Sequence, residues 1–361
     1  MILFLGVVLT SSSLYAQVEE AAPALLQAGE TALVYYSPKN TIVLDFEYTT
    51  ESHEAGIYQE YAEDLLGITD GVQENHTLYS LHGVSIGTHT EADLTRPHKV
   101  NCEAGRQMQL LKLNDKGLLV GYNLPVGQKQ TSKRSRKDAV KSEISTGTNL
   151  PYTDEILEAK SIAAQAQAVA KQILRLRETR LYLLSGEVEH APADGEAMKR
   201  VLEELSRQES MLVELFAGKK TTTTHHMRVE ICPTPESGEI IQKHLFFSDE
   251  NGFTDGENID ADTIAITVSL MRQTLAPPIE EVKKGKKDKN ADVPQGSQIV
   301  YNLPGHGDVN VQYQGRILNH RLLPIAQLGV DVPLDRELFS GSELPVIVFS
   351  EKTGNIVSIS K

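Results

Sequence analysis

Three residues in the first third of the chain have side chains and a spacing that suit metal binding or acid–base chemistry. The segment LHGVSIGTHTEAD contains His89, Glu91 and Asp93 at every second position. Alternate residues of a strand point to the same face, so an extended segment would place one imidazole beside two carboxylates. Such nitrogen and oxygen ligands bind divalent cations. The spacing lacks the His-Glu-x-x-His pattern of zinc hydrolases, and we therefore expect a polar strand edge rather than a metal site.

No other part of the sequence predicts catalysis. We find no serine nucleophile in the strand–turn–helix setting that hydrolases use, and the 49 carboxylates are too numerous for their presence to identify an acid–base pair. His225 and His226 are adjacent, so on a strand they would face opposite sides and would not chelate one ion. We predict no catalytic residue and no cofactor, and we expect one of these histidines to face the core and the other the solvent.

A glycine-rich stretch, VYNLPGHGDVNVQYQG, has the composition of a phosphate-binding loop. Phosphate loops are followed by a helix whose first amides face the anion. Here Val309, Val311 and Tyr313 alternate with polar residues, which predicts a strand. We therefore exclude phosphate binding, and we interpret Pro304 and the glycines after it as a strand end and a turn.

The elements that would position these residues divide most of the chain into three regions. Alternating apolar and polar residues in TIVLDFEY predict strands, so residues 30–152 are predicted to form an N-terminal β-rich domain with a basic loop at 126–152. Strand patterns return in DTIAITVSL and VIVFSEKTGNIVSIS, so residues 219–361 are predicted to form a C-terminal β-rich domain.

Residues 153–218, between these regions, have helical periodicity. Apolar residues recur at steps of four and three, the spacing of a helix–helix seam, at Ile162, Ala166, Val169, Ile173 and Leu176. The pattern returns, interrupted by the polar Gln208, at Met198, Val201, Leu205, Leu212 and Leu215. Two such helices joined by a short loop predict an antiparallel hairpin. The predicted fold is therefore α+β, with two β-rich lobes flanking a long antiparallel α-hairpin. Leu174, Leu181 and Leu184 lie off the seam and predict a second packing surface on the first helix.

The N-terminus has the pattern of a secretory signal peptide. In MILFLGVVLTSSSLYAQ an apolar run is followed by small polar residues and by Ala16 at a cleavage-like position. We predict a signal peptide at 1–16 and an N-terminal tail at 17–29. The apolar run is too short to cross a membrane, and we predict no transmembrane span.

The two cysteines, Cys102 and Cys232, do not form a Cys-x-x-Cys motif. In an oxidising compartment they could pair. Two thiols so far apart do not define a disulfide framework, so we favour separate thiols and leave the pairing open.

The charge of the chain bears on two classes of partner, nucleic acids and anionic lipids. The net charge of −14 argues against nucleic-acid binding, because phosphate contacts require many Lys and Arg side chains. Two basic segments, Lys129–Lys141 and Lys283–Lys289, stand out in this acidic chain. They could contact anionic lipid headgroups, although solvated loops are the interpretation we favour.

Several blocks of the sequence together resemble a known family. YYSPKNTIVLDFEY, GIYQEYAEDLLGI, VYNLPGHGDVNV, PIAQLGVDVPL and VIVFSEKTGNIVSI occur in this order. They are similar to domain-of-unknown-function family four-eight-three-one, whose members are uncharacterised exported proteins of Bacteroidota. The resemblance extends over nearly all of the chain after the predicted signal peptide. It implies export to the cell envelope and brings no catalytic residues with it.

These observations favour a non-enzymatic binding or scaffold protein of the cell envelope, located in the periplasm or at the periphery of the outer membrane. Its partner would be a protein or a glycan, contacted through the helical hairpin. The alternative is a periplasmic hydrolase with a dispersed or metal-assisted active site. Its best candidate residues would be His89, Glu91 and Asp93.

Overall fold

The structure, a computed structural model, describes residues 32–101, 110–125, 152–186, 195–256, 261–273, 299–335, 338 and 344–360. Among these residues, strands account for 53% and helices for 25%. The predicted signal peptide, the N-terminal tail, both basic segments and Cys102 lie outside the described residues. The β-rich character of the predicted fold is confirmed, whereas the α+β class with a long helical hairpin stays a prediction.

Twelve strands and four α-helices form the described part of the chain. The strands are β1 (Ala32–Glu54), β2 (His76–Asn101), β3 (Leu111–Leu113), β4 (Leu119–Tyr122), β5 (Lys219–Ile231), β6 (Ile240–Ser248), β7 (Gly252–Thr254), β8 (Asp262–Met271), β9 (Val300–Tyr313), β10 (Arg316–Pro333), β11 (Val346–Phe349) and β12 (Ile356–Ser360). The helices are α1 (Ala62–Leu66), which follows a 3₁₀ turn at Gln59–Tyr61, then α2 (Asp154–Glu158), α3 (Ile162–Ser185) and α4 (Gly195–Ala217).

The strands form three antiparallel sheets. The first has the order β2-β1-β5, the second β10-β9-β8-β6-β7 and the third β12-β11-β4-β3. β1 and β2 pair over almost their whole lengths, from Ala32 opposite Asn101 to His53 opposite His76. Their register shifts twice, between Tyr36 and Pro38 and between Glu47 and Tyr48 of β1. Each shift is a bulge, which redirects side chains locally.

Strands from the two predicted β-rich regions pair with each other. In the first sheet, β1 pairs with β5 along the entire length of β5. In the third sheet, Ile347 of β11 lies opposite Tyr122 of β4. Strands from residues 30–152 and from residues 219–361 therefore share two sheets. The sequence alone could not decide whether the two regions form separate sheets or shared ones.

The main core lies between the first and second sheets, which pack face to face. Alternate residues of β1, such as Ile42, Leu44 and Phe46, are fully buried against the second sheet. Edge-to-face contacts between aromatic rings close one part of this core, with centroids 5.1–6.3 Å apart. The rings belong to Phe46, Tyr48, Phe247, Phe253 and Tyr313.

The helices α3 and α4 pack against each other and bury a second core. The predicted seam is confirmed in the middle of α3, where the buried residues include Ala166, Val169, Ile173 and Leu176. On α4 the fully buried residues are Leu212 and Phe216. The predicted seam positions Ile162 and Val201 are exposed, because both lie in the first two turns of their helices, away from this core.

The glycine-rich stretch lies inside one strand, so the predicted strand end and turn are wrong. β9 continues through Pro304, Gly305 and Gly307. The ladder with β10 shifts register here, because Leu303 pairs with Val330 whereas Gly305 pairs with Ile325. Pro304 falls at this irregularity, where the strand needs no amide donor from it.

Gly305 is needed for close packing rather than for a turn. A Cβ atom at this position would lie 2.6 Å from the carbonyl oxygens of both Leu328 and Met271. Backbone on two sides leaves no room for a side chain.

Candidate functional site

A cluster of polar and charged residues lies beside the first bulge, where β1 and β2 meet β10. At this bulge Tyr36 pairs with Pro97 and Pro38 with Ala92, so the single residue Ser37 faces the extra residues 93–96 of β2. We call this group the bulge cluster. It consists of Ser37, Asp93, Arg96, His98, Asn302 and Asp331.

Asp331 of β10 is the centre of the bulge cluster. Ser37 Oγ donates to both of its carboxylate oxygens at 3.2 Å, and Asn302 Nδ2 donates at 2.8 Å. Arg96 and His98 each place a nitrogen 3.5 Å from Asp331 Oδ2. One carboxylate therefore joins β1, β2, β9 and β10.

A second carboxylate holds the bulge itself. Asp93 Oδ1 accepts hydrogen bonds from the amide of Thr95 at 3.1 Å and from its hydroxyl at 2.6 Å. Its Oδ2 accepts from Arg96 Nε at 2.8 Å, and the same guanidinium donates to the carbonyl of Pro38 at 2.9 Å. Arg96 thus connects the two carboxylates to the backbone of β1.

Both carboxyl groups are held in the charged form. Burial alone would raise the pKa of Asp331, but hydrogen bonds from His98 and Asn302 and the positive charge of Arg96 outweigh it, so this pKa lies below its ordinary value. Burial would likewise raise the pKa of Asp93, and hydrogen bonds from Thr95 and Arg96 bring this pKa below its ordinary value too.

Ser37, His98 and Asp331 are the residue types of a catalytic triad, but their arrangement differs from one. In a triad, serine and aspartate contact opposite nitrogens of the imidazole. Here Ser37 Oγ (2.7 Å) and Asp331 Oδ2 (3.5 Å) both face Nε2 of His98. Ser37 also donates directly to the carboxylate and is only 5% exposed. The arrangement connects strands and offers no activated nucleophile.

A neighbouring network of buried amides is fully hydrogen-bonded. Asn40 Nδ2 donates to Thr90 Oγ1 at 3.0 Å and to the carbonyl of Lys352 at 2.8 Å, while its Oδ1 accepts from the amide of Ala326 at 2.6 Å. Gln327 Nε2 donates to the carbonyl of Asn40 at 2.6 Å. These contacts fix the irregular part of β10 against β1, so the network is structural.

The three residues that the sequence suggested for a metal or acid–base site do not form one ligand set in the described part of the chain. His89 is exposed on β2 opposite Thr41, and Glu91 lies opposite Lys39. Asp93 is buried, and both of its oxygens face the bulge. Within the described ranges, no three His, Cys, Asp or Glu side chains are placed to hold a metal ion.

Cys232, just after β5, is exposed.

The Gly-x-Ser-x-Gly motif of a nucleophile elbow occurs once in the chain, at Gly83-Val84-Ser85-Ile86-Gly87. An elbow requires a sharp strand-to-helix turn, whereas these residues lie inside β2, where Ser85 pairs with Asp45 of β1. His226 approaches Asp45 from β5, on the other side of β1, at 3.9 Å. The carboxylate therefore lies between the serine and the imidazole, which is not the order that a hydrolase requires.

An apolar surface on α3 is the other feature of functional interest. Leu174, Leu181 and Leu184 are 52%, 65% and 65% exposed. No described β-strand covers them, although their position off the helix seam predicted a second packing surface. We call these three residues the leucine face. An open groove lined in part by Met198 and Leu202 runs along the neighbouring helix α4.

Within the described helices, none is both long enough and apolar enough to span a membrane. No curated protein and no solved structure matches the chain. The model of one family, described as Domain of unknown function (DUF4831), matches residues 31–357. The match covers nearly the whole chain and agrees with the resemblance of the sequence blocks, so the protein belongs to the DUF4831 family.

Proposed function

We propose that this protein is a non-enzymatic binding or scaffold protein of the bacterial cell envelope, which holds a partner protein on its helices. The observation that carries the proposal is the exposure of the leucine face. Leucines at such positions in a helix normally pack against another element. Scattered apolar residues on a surface need no explanation, but three leucines within three turns on one side of a helix favour a contact site.

The composition of this surface favours a protein partner over a glycan. Sugar-binding surfaces rely on aromatic platforms and on polar side chains that bond to hydroxyl groups, whereas leucine side chains offer neither. Apolar contact with another protein is what such a surface stabilises best, at about 25 cal/mol for each Å² removed from water.

The geometry of the bulge cluster supports a non-enzymatic role. Ser37 is buried and hydrogen-bonded to a carboxylate, and Asp93 is occupied by Thr95 and Arg96. Groups that join strands in this way contribute to stability rather than to turnover. The alternative of a hydrolase at His89, Glu91 and Asp93 has no comparable support, since Asp93 is engaged elsewhere.

Export is the second part of the proposal, and it rests on the signal-like N-terminus and on the family resemblance. Fractionation of cells that produce the tagged protein tests it directly. We expect the protein in the periplasm or at the outer-membrane periphery, with a mature N-terminus near residue 17. Recovery of uncleaved protein in the cytosol would contradict this part and leave the question of partner binding open to a separate test.

The partner surface is tested by replacing Leu181 and Leu184 together with glutamate. Cross-linking in cells and purification from native envelope fractions should recover a stoichiometric partner with the unmodified protein. We expect the double variant to lose that partner while its circular dichroism stays unchanged, because both side chains are exposed. Ile317→Glu is the matched control, since Ile317 is 61% exposed on β10, outside the helices. A partner retained by the double variant would refute the proposal.

A further inference from the structure

The two edges of the first sheet differ in how they are protected. On β2, the Asn319 side chain donates to the carbonyl of Val84 at 2.7 Å, and the Arg321 side chain donates to the carbonyl of Ile86 at 2.6 Å. Further along β2, the amide of Tyr79 donates to the carbonyl of Asp249 at 2.7 Å. The carbonyls of Val84 and Ile86 and the amide of Tyr79 on this edge are therefore satisfied.

The opposite edge, on β5, has no such cover from the described residues. β5 is 13 residues long and pairs only with β1 among the described strands. Side chains from Lys219 to Thr224 are exposed on both faces. A run of four threonines at 221–224 has high β propensity and contains no proline or glycine. A long edge that no other element covers can accept another strand.

We propose that two copies of this chain pair through β5, edge to edge and antiparallel, so that their first sheets join into one six-stranded sheet. A two-fold axis would pass through His225, the middle residue of β5. This register pairs all 13 residues of one strand with those of the other. The interaction is independent of the leucine face, because it uses a different element.

The charges of β5 complement each other in this register. Lys220 of one copy lies opposite Glu230 of the other, and symmetry repeats the pair. Both side chains are exposed, and neither forms an ion pair among the described residues. Opposite charges directly across an antiparallel pair are stabilising.

The same register also keeps core-facing residues on one face of the joined sheet and exposed residues on the other. Met227, Val229 and Ile231 lean towards the core, whereas the residues between them are exposed. Pairing about His225 places odd-numbered residues opposite odd-numbered ones, so the core side of one copy meets the core side of the other. A register displaced by two residues in one direction would set Lys220 against Arg228, and in the other direction against Cys232. Of these registers, only the one centred on His225 pairs all 13 residues and also places Lys220 opposite Glu230.

Exchange of the two charges tests the interface. The affinity of the full chain for itself is measured by sedimentation over a range of concentrations. Lys220→Glu and Glu230→Lys each place like charges opposite one another at two symmetric positions, and each should raise the dimer Kd about tenfold or more. The combined variant K220E/E230K restores opposite charges, and we expect it to restore dimerisation. An unmodified chain that stays monomeric at the highest soluble concentration overturns the proposal, as does a dimer that neither single exchange weakens.

The register has its own test, which uses disulfide formation. In a background with Cys102→Ser and Cys232→Ser, His225→Cys places two thiols directly opposite each other across the axis, within reach of a disulfide. We expect rapid covalent dimerisation of this variant under mild oxidation. Thr222→Cys is the control, because position 222 faces Arg228 of the other copy and its two thiols lie far apart. Equal cross-linking of both variants would overturn the register, and a β5-dependent complex of a monomer with a different protein would overturn self-pairing.

Discussion

Replacement of Asp331 with alanine tests whether the bulge cluster holds four strands together. The side chain accepts hydrogen bonds from Ser37 and Asn302 and lies close to Arg96 and His98. Hydrogen bonds to charged groups contribute about 1.5–3 kcal/mol each, and loss of one member of a buried ion pair costs about 3–5 kcal/mol. Because the side chain of Asp331 is 23% exposed, we expect the lower end of this range. D331A should reduce the free energy of unfolding by about 3 kcal/mol.

The effect should depend on pH in a defined direction. The pKa of Asp331 in the folded chain lies below its ordinary value of 3.8. Its contribution to stability is therefore fully present above that ordinary value and is lost as the pH falls through the lower pKa of the folded state. Asp93 behaves in the same direction, since its pKa is also lowered. The difference between the unmodified chain and D331A should be larger at neutral pH than at acidic pH.

Urea unfolding followed by circular dichroism, at neutral pH and again at about pH 3, measures both parts of the prediction. The control is Asp308→Ala, because Asp308 forms a surface pair with His320 at 2.5 Å and both side chains are substantially exposed. This control should change the free energy of unfolding by about 1 kcal/mol at most. A loss in D331A no larger than in the control would refute the reasoning, and so would a loss of equal size at both pH values.

Two further substitutions test close packing and a helix contact. Gly305→Ala should reduce the free energy of unfolding by about 2 kcal/mol, because the new Cβ atom would meet backbone oxygens at 2.6 Å. Gly307→Ala is the control, because a Cβ atom there would have a side-chain atom at 3.3 Å as its nearest neighbour. In the same urea titration, the control should reduce the free energy of unfolding by less. Glu209→Ala should lower the thermal unfolding midpoint, because this largely buried carboxylate accepts hydrogen bonds from Arg177 and Arg180 at 2.7 Å each. An unchanged thermal unfolding midpoint in E209A would show that the contacts of Glu209 with Arg177 and Arg180 do not stabilise the fold.

Local patterns in the sequence predicted the elements that depend on local periodicity. Alternation identified β1, and the spacing of Ala166 and Ile173 identified the buried side of α3. The opposite orientations of His225 and His226 are also confirmed, because His225 stacks on Tyr48 with ring centroids 5.2 Å apart and His226 is exposed. Each of these features needs only the geometry of a single helix or strand.

Features that depend on pairing between distant strands were beyond such reasoning. Ser37, His98 and Asp331 are far apart in the sequence, and only the shared register of β1, β2 and β10 brings them together. Pro38 and Pro97 at the two sides of the bulge were the one local signal, since proline interrupts a ladder. Pro304 was misread for a related reason: its missing amide is compensated by an irregularity in β10, which nothing near Pro304 reveals.

The sharing of two sheets by the two ends of the chain has a consequence for folding kinetics. β1 gains one of its two neighbours only when β5 is available, and β4 pairs with β11 from the last part of the chain. Contacts across more than half of the sequence give the fold a high contact order, which slows folding. A chain emerging from a ribosome or a translocation channel therefore cannot close its third sheet until residues near 347 have followed. During that interval the side of β4 that later pairs with β11 is an open strand edge, and open edges of this kind favour aggregation while a chain folds.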